Sequence, residues 1–442
     1  MTYHRIYPET LIIILFVLSA FSGLPLIDIG FFSVTPIRAG LVVAIAGIFV
    51  FALQGNLRKI HSDFGLMVLF FLLAWIFYAL FFSLFALDYV ASLRQILALS
   101  INSFIIIATI FLLREKNSFS ALVLPIFLVG FCLTAFGIAE LVFDWHLPQS
   151  RYHEGSAYDG RDVVTATATF YNQNDFATFL SIFFAFSLSL SCYGHSRLIR
   201  YSATLSTVCA FFLIAAVLSR SNIIASIVIA IFFISMSSRR MIGVAVIAFV
   251  SAAVVWFSSL DNILSERIIR GYESLIFLFE ASAYDSGSGG VRLNLAKNGF
   301  HFLGETWLLG VGPGNFEAWI AGRAVYPTGY ITNAHSFWLE LLVNYGLPIF
   351  LLFIFLYLFL IYRLYLIFRS ASGDERPFLF GLLLALIGLV FAVQSSSSIF
   401  FSHWAWIIIG LAIARVQIER ESACLRKGSR FQRALGSVPQ GR

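Results

Sequence analysis

Long runs of hydrophobic residues recur along the whole chain and are separated by shorter polar segments. Each run is close to the roughly 20 residues that an α-helix needs to cross a bilayer, where the backbone has to be hydrogen-bonded within the segment. The predicted spans are 10–27, 36–54, 65–87, 94–113, 120–143, 172–193, 200–218, 221–236, 241–259, 336–367, 378–394 and 398–414. The pattern predicts an all-α, polytopic integral membrane protein with about twelve transmembrane helices.

The composition excludes an ordinary soluble protein. The 442 residues are 60% hydrophobic and 17% aromatic, and 12% are charged, about half the charged fraction of a typical soluble domain. The first hydrophobic run lacks a small-residue cleavage site, so it is interpreted as a retained span and not as a signal peptide.

The distribution of Lys and Arg predicts the orientation, because basic residues are retained in cytoplasmic loops. With both termini inside, the inner segments hold 19 of the 29 basic residues. We therefore expect both termini in the cytoplasm. The basic tail, 415–442, and the net charge of +6 are typical of a segment beside anionic lipid, and they do not predict nucleic-acid binding.

Two segments predicted at the outer face, 144–171 and 260–335, are too long for simple turns and are expected to carry function. The longer one has helical periodicity at Ile268, Ile269, Tyr272, Leu275, Ile276 and Phe279. This periodicity predicts an amphipathic helix against the membrane face. A flexible joint, SGSGG at 286–290, is expected to follow it.

A second amphipathic helix is predicted after the joint. Its apolar face is expected to hold Leu293, Ala296, Phe300 and Leu303, and its polar face Arg292, Asn294, Lys297, Asn298 and His301. The helix is interpreted as a lid that displays cations.

His335 follows a glycine-rich loop, GVGPGNF at 310–316, and precedes a long apolar helix. A neutral imidazole can accept a proton from a hydroxyl group, although an interfacial histidine that caps a helix would give the same pattern. Glu340 and Asn344 in the next helix are candidates to orient His335 or to bind sugar hydroxyls. They would equally suit satisfied polar groups between helices.

Three arginines of the outer segments are candidates to bind an anion. Arg220 lies in a very short turn, LSRSN, and Arg292 lies at the positive end of the second amphipathic helix; Arg161 is a third candidate. An arginine that extends to the interface from a helix end, or a solvated surface charge, would also explain them. Asn172 and Asn174 begin a span in YNQNDFA, where asparagine is a good N-cap and Asp175 favours the helix dipole.

Several motifs are absent from the sequence. It contains no G-x-x-x-x-G-K-[ST] phosphate loop, no H-E-x-x-H and no Asp-x-Asp pair, and its four cysteines do not suggest a disulfide or zinc framework. We therefore expect no metal and no cofactor.

These motifs together resemble a family. YNQNDFA, SRS, SGGVRLNLAKNGF, GVGPGNF and NAHSFWLELLVNYG occur in the order seen in the O-antigen ligase and polymerase family, which includes teichuronic-acid polymerases. The resemblance implies a metal-independent, inverting glycosyltransferase at the outer face of the bacterial cytoplasmic membrane. Its donor would be a polyprenyl-diphosphate-linked glycan and its acceptor a glycan, a lipid or a protein.

The resemblance also implies roles for residues. His335 would be the base or orienting group for the acceptor hydroxyl, and Arg220 and Arg292 would hold the diphosphate. The sequence departs from the family at SRSN, where a glycine often follows the serine and arginine. The remaining residues assigned to substrate binding are Arg161, Asn172, Asn174, Asn315 and Glu340. Membrane lipids and other polysaccharide-assembly proteins would be partners.

Within this reading a polymerase is favoured over a ligase. The main alternative is a multi-span transporter of a small anion or lipid-linked sugar, for which charged groups near the membrane midplane and internal symmetry would be expected. A structural membrane protein would leave the outer cations unexplained.

Overall fold

The computed structural model of the chain describes residues 8–21, 27–28, 33–55, 62–113, 115–153, 165–237, 288–396 and 398–436. The helices are α1 (Pro8–Ala20), α2 (Pro36–Leu53), α3 (Asp63–Ser83), α4 (Tyr89–Leu112), α5 (Lys116–Phe143), α6 (Gln173–Tyr193), α7 (Arg197–Ala216), α8 (Arg220–Met236), α9 (Ser288–Glu305), α10 (Phe316–Arg323), α11 (Phe337–Ser370), α12 (Arg376–Ala392) and α13 (His403–Gly436). Two short 3₁₀ helices (Gly373–Glu375 and Ile399–Phe401) and a hairpin of two-residue strands (Ile27–Asp28 and Ser33–Val34) complete the described elements.

The all-α membrane architecture is confirmed. Among the described residues, eight helices are long and apolar enough to cross a bilayer: α2 to α7, α11 and the segment Gly373–Ala392 that contains α12. The spans predicted at 10–27 and 221–236 correspond to shorter apolar helices, Glu9–Ala20 and Arg220–Met236. The span predicted at 241–259 lies outside the described residues, and 398–414 falls largely within α13. The total of twelve stays a prediction.

Helix α6 lies at the centre of the bundle. It packs against α7, α8 and α12, and its residues from Phe176 to Cys192 are all buried. Because neighbours surround it, α6 is apolar on every side instead of amphipathic. An aromatic cluster joins α3 to the later helices: Trp75 is fully buried and its ring lies 5.4 Å from Tyr345 and 5.9 Å from Phe400. The cluster therefore supports the part of α11 that follows His335.

Helix α9 exists as predicted, but its predicted apolar face is only partly right. Leu303 is buried as predicted, whereas Leu293 and Phe300 are exposed and Leu295 and Phe302 are fully buried. The buried face also contains Asn298, whose side chain accepts hydrogen bonds from backbone amides of the loop after α10. A polar residue thus sits on the buried side, and an apolar pattern alone misplaces the face. Part of the predicted joint, Ser288–Gly290, is helical, and the amphipathic helix predicted at 268–279 lies outside the described residues.

The predicted cytoplasmic tail begins inside a helix, because α13 continues to Gly436. Its Arg415 is 1% exposed and pairs with Glu375 at 3.2 Å and with Glu419 at 3.3 Å. This buried ion pair fixes α13 to the segment before α12.

Candidate functional site

The glycine-rich loop pairs with a break in α11. Gly346 has a φ of 72° inside that helix, and the imino nitrogen of Pro348 has no hydrogen to donate. The carbonyl groups of Val343 and Asn344 would otherwise accept from Leu347 and residue 348. The loop replaces these bonds: Val311 N donates to Val343 O at 2.9 Å, Gly312 N donates to Asn344 O at 3.1 Å, and Leu347 N donates to Leu308 O at 2.8 Å. The helix break is therefore what holds the loop.

Two glycines allow this close backbone approach. A Cβ at Gly310 would lie 2.6 Å from Gly346 N, and a Cβ at Gly346 would lie 2.4 Å from the carbonyl carbon of Leu309. Both glycines have positive φ, which side chains rarely tolerate. The prediction of a tight glycine-rich loop is confirmed, and the loop packs against the backbone of α11.

Asn315 anchors the end of this loop. It is fully buried; its Nδ2 donates to Ser92 Oγ at 2.7 Å and its Oδ1 accepts from Asp88 N at 2.8 Å. Asn344 stabilises the start of α10, because its Oδ1 accepts a hydrogen bond from Phe316 N at 3.0 Å. The side-chain amide of Asn315 faces the protein. Its role in substrate binding therefore stays a prediction.

His335 lies at the turn that enters α11, with a φ of 46°. Its backbone N donates to Asn333 Oδ1 at 2.8 Å, and the helix cap is Ser336, whose Oγ accepts from Leu339 N. The capping alternative for His335 is therefore wrong. Its Nδ1 is buried and has no hydrogen-bond partner among the described residues. That nitrogen therefore has unused hydrogen-bonding capacity within the part of the chain that the structure describes.

Positive charges surround this imidazole. The pKa of His335 is lowered to about 4, first by burial of the imidazole and then by the nearby charges of Arg292 and Arg151. The pKa of Arg292 is itself lowered, first by desolvation of its guanidinium and then by Arg220, although the residue as a whole is exposed. Arg292 thus lies near both His335 and Arg220, and the imidazole is neutral near pH 7. The roles predicted for these residues stay predictions.

Arg151 is a member of this group that the sequence did not suggest. Its backbone N donates to Tyr171 O at 3.0 Å, and its Nη2 donates to Tyr152 Oη at 2.6 Å. The signal present in the sequence was a basic residue in the outer segment 144–171, but Arg161 was chosen there. Arg161 lies outside the described residues.

A buried carboxylate holds the end of this outer segment. Glu140 is 1% exposed, and its Oε2 accepts from Thr167 N at 2.7 Å and from Ala168 N at 2.6 Å. His146 lies 3.3 Å from the other carboxylate oxygen. Glu140 thereby fixes the chain just before it enters α6.

Arg220 is the first residue of α8 and is exposed. It has no hydrogen bond or ion pair within the described part of the chain. Its neighbours are fixed instead: Ser221 Oγ donates to Ser395 Oγ at 2.6 Å, and Asn222 Nδ2 donates to Ser219 Oγ at 2.8 Å. Ser221 and Asn222 therefore stabilise the turn that presents Arg220.

Residues 394–398, which we call the serine segment, join several of these elements. Besides Ser395, its hydrogen bonds are Ser336 Oγ to Gln394 Oε1 at 2.6 Å, Ser396 Oγ to Asp175 Oδ1 at 2.6 Å, and Ser398 Oγ to Glu340 Oε1 at 3.0 Å. The segment thus connects the starts of α6, α8 and α11. No sequence pattern identifies the serine hydroxyl groups that connect helix starts in this way.

Asn172 is the N-cap of α6, as the sequence suggested, and its Oδ1 accepts from Asn174 N at 2.8 Å and Asp175 N at 2.9 Å. The side-chain Oδ1 of Asn174 accepts from Ser219 Oγ at 3.0 Å. Both asparagines therefore order the helix starts, and a direct substrate contact stays a prediction.

A cavity of about 500 Å³ opens beside Asn333 and Ala334, the two residues before His335, which is not itself among the described lining residues. It is bounded by the start of α4, the start of α6, the end of the glycine loop, the residues just before His335, and the region that follows the serine segment. Its polar lining includes Arg94, Gln95, Asp175, Glu317, Asn333, Glu340 and Asn344, and its aromatic lining Phe170, Tyr171, Phe316, Phe401 and Trp404. Glu340 is buried on this wall and also accepts from Gln95 Nε2 at 3.0 Å. Within the described ranges, no group of three or more His, Cys, Asp or Glu side chains could hold a metal ion.

Two comparisons with known proteins bear on this site. Residues 205–354 match the family model described as O-Antigen ligase. The chain is also 27% identical over 414 residues to the teichuronic acid biosynthesis protein TuaE of Bacillus subtilis (strain 168), in an alignment that covers 90% of this chain and 81% of that protein. The family match includes Arg220, Arg292 and His335, whereas Arg151 lies before it.

Proposed function

Because both comparisons support an O-antigen ligase/polymerase-like family, we propose that this multi-pass membrane protein is a metal-independent, inverting glycosyltransferase. It transfers a glycan from a polyprenyl-diphosphate carrier to a growing surface polysaccharide at the outer face of the cytoplasmic membrane, with both termini in the cytoplasm. The observation that carries the proposal is the neutral imidazole of His335, with a free Nδ1, inside a group of arginines.

The arginines bind the diphosphate. Arg220 and Arg292 lie close enough for one to lower the pKa of the other, so their charges repel until an anion lies between them. A diphosphate offers several oxygens to guanidinium groups, which bind phosphate in a forked geometry. Because negative charge grows on the diphosphate as it leaves, these contacts stabilise the transition state more than the ground state. Arg151 adds a third positive charge on the side of His335.

His335 accepts the proton of the acceptor hydroxyl. The hydroxyl oxygen forms a bond to the anomeric carbon while the bond from that carbon to the phosphate oxygen breaks, and the electron pair leaves with the diphosphate. Attack from the opposite face inverts the anomeric configuration. A pKa near 4 keeps the imidazole unprotonated but makes it a weak base, and the bound diphosphate raises this pKa by offsetting the arginine charges.

The acceptor is the end of another glycan chain, so we propose a polymerase over a ligase. TuaE is named for teichuronic acid biosynthesis, which is consistent with polymer formation in that protein. Glu340, in the helix that follows His335, lies on the cavity wall, and its carboxyl group binds sugar hydroxyls of the substrate. Lipids of the membrane and other polysaccharide-assembly proteins are its expected partners.

Gel profiling of surface glycans tests this proposal. A deletion strain is complemented with wild type, His335→Ala or His301→Ala at equal membrane expression. His301 is a matched control because it is exposed on α9 and pairs with Glu305 at 3.1 Å. We expect His335→Ala to abolish long chains while short lipid-linked units accumulate, since loss of a general base costs about 10²–10⁴-fold in rate. Long chains left on the carrier would instead indicate a ligase, and an unchanged profile would exclude His335 from the chemistry.

A further inference from the structure

The cavity of about 500 Å³ has a lining whose charge differs from that of the arginine group. Arg220, Arg292 and Arg151 are not among its lining residues. Among the described residues of the lining, the carboxyl groups are those of Asp175, Glu317 and Glu340, and the guanidinium group is that of Arg94. The positive region and the cavity are therefore neighbouring sites of opposite electrostatic character.

The cavity presents oxygen acceptors in fixed positions. Glu317 is exposed to the cavity, and its Oε1 is held by Asn333 Nδ2 at 2.9 Å. Asp175 is held on both oxygens, by Ser396 Oγ at 2.6 Å and by Asn172 Nδ2 at 2.6 Å. A carboxylate has about four acceptor positions, and Glu317 is exposed, so its carboxylate can accept further hydrogen bonds from a ligand. Oxygens fixed in this way suit ligands that donate from hydroxyl groups.

The lining also contains aromatic side chains. Tyr171 is 59% exposed and the Phe401 side chain is 51% exposed, whereas the other aromatic residues of the cavity are buried. A rigid aromatic face with accessible surface binds the apolar face of a ring at low entropic cost, while its polar neighbours fix the orientation of the ligand. A ring that has hydroxyl groups at its edges and C–H groups on its faces matches both parts of the wall.

We propose that this cavity binds an uncharged, hydroxyl-rich sugar residue of the glycan substrate, and that Glu317 and Asp175 exclude sugars that carry a carboxylate or a phosphate. The inference rests on the proposed glycosyltransferase function and adds the charge class of the sugar. Diphosphate and sugar are recognised in separate places: the arginines bind the anion, and the carboxylates bind hydroxyl groups. An acidic sugar in the cavity would place like charges next to each other in a partly desolvated site, which is strongly unfavourable.

Binding measurements on the full-length protein in lipid nanodiscs test the proposal without requiring catalysis. The probes are a glycan array of uncharged oligosaccharides and matched uronic-acid oligosaccharides, all immobilised through their reducing ends. We expect the wild-type protein to bind uncharged glycans and to discriminate against acidic ones by about tenfold or more. Tyr171→Ala weakens binding of the uncharged probes, and Glu317→Gln reduces the discrimination about tenfold. Glu305→Gln, an acidic residue of α9 outside the cavity lining, is the matched control and leaves both unchanged.

The array also distinguishes the two substrates. Reducing-end immobilisation presents the sugar end that an acceptor offers, so direct binding assigns the cavity to the acceptor. No direct array binding, together with saturable binding of a labelled 1-phosphate of an uncharged sugar that Tyr171→Ala weakens, assigns the cavity to the donor sugar, with the phosphate at the arginines. Either result supports an uncharged sugar in the cavity.

Two results overturn the inference. One is equal binding of acidic and uncharged probes by wild type; the other is a preference that Glu317→Gln does not alter. The proposed function is tested separately by the His335→Ala glycan profile. Selective sugar binding with an unchanged profile leaves the cavity assignment standing and removes the catalytic one, whereas the opposite pattern removes only the cavity assignment.

Discussion

Replacement of Gly346 by alanine is expected to displace the glycine-rich loop from α11. The added methyl carbon would lie 2.4 Å from the carbonyl carbon of Leu309 and 2.5 Å from Leu308 O. Both are backbone atoms, so no side-chain rotation relieves the contact. Alanine is also strained at the φ of 72° that this position requires.

The loss of stability caused by Gly346→Ala follows from the structure in two ways. If the loop stays in place, backbone strain at a φ and ψ of 72° and 176° contributes about 1–3 kcal/mol and overpacking about 1–3 kcal/mol. If the loop moves away, the three hydrogen bonds between 308–312 and 343–347 are lost, at about 0.5–1.5 kcal/mol each. The stability of this region therefore falls by about 2–6 kcal/mol by the first route and by about 1.5–4.5 kcal/mol by the second. The second route also moves Glu317 and the end of the loop out of the cavity wall.

The assay combines the thermal unfolding midpoint of the purified protein in detergent with the glycan profile of the complemented strain. We expect Gly346→Ala to lower the midpoint and to reduce long chains. Gly304→Ala is the matched control: no atom lies within 4 Å of its added Cβ, and alanine is favoured over glycine in a helix by about 1 kcal/mol. A normal midpoint together with normal long chains in Gly346→Ala would refute the account of the loop and helix break.

Three further changes have defined outcomes. Arg292→Gln removes a charge that lowers the pKa of His335. In reconstituted vesicles, kcat/KM of the wild type is expected to fall on acidification near pH 4, and in the variant this fall moves to higher pH. A fall at the same pH or at a lower pH contradicts the electrostatic assignment. Asn298→Ala leaves buried backbone groups unpaired, so it lowers the unfolding midpoint and costs about 1–3 kcal/mol of stability. The control Asn294→Ala loses one hydrogen bond at a more exposed site and is expected to have a smaller effect. Equal effects would argue against a special role for the buried amide. Glu140→Ala leaves two buried amides without their carboxylate and costs about 1–3 kcal/mol for each, so a variant as stable as wild type would show that the outer segment is held elsewhere.

The sequence predicts the membrane helices well, because a span depends on local hydrophobicity alone. The ends predicted for α4 and α6 lie within a few residues of those observed. The face of α9 that is buried was not predictable in the same way. Its buried face contains Asn298, and whether an asparagine is buried depends on partners elsewhere in the chain. Short spans such as 221–236 lie at the limit of what length and composition decide.

The candidate site was partly predictable, for a similar reason. His335 and the glycine loop are contiguous in sequence, and Arg220 and Arg292 stand in recognisable motifs. Arg151 reaches the site only because the chain returns to Tyr171, a contact that no local pattern shows. The serine segment and the hydrogen bonds that replace the helix bonds at Gly346 likewise depend on long-range packing.

The contacts of Asn298 have a consequence for the chemistry. Its Oδ1 accepts from Val325 N and Tyr326 N, and its Nδ2 donates to Tyr326 O at 2.8 Å. A helix that is anchored by an apolar stripe can shift its rotation slightly and keep most of its burial, but a rotation of α9 would leave three polar backbone groups unpaired. The direction in which Arg292 leaves α9 is therefore set by a hydrogen-bonded amide six residues away. Since Arg292 acts on His335 through its charge, and since charge interactions change with distance, this polar anchor helps to define the pKa of the proposed base.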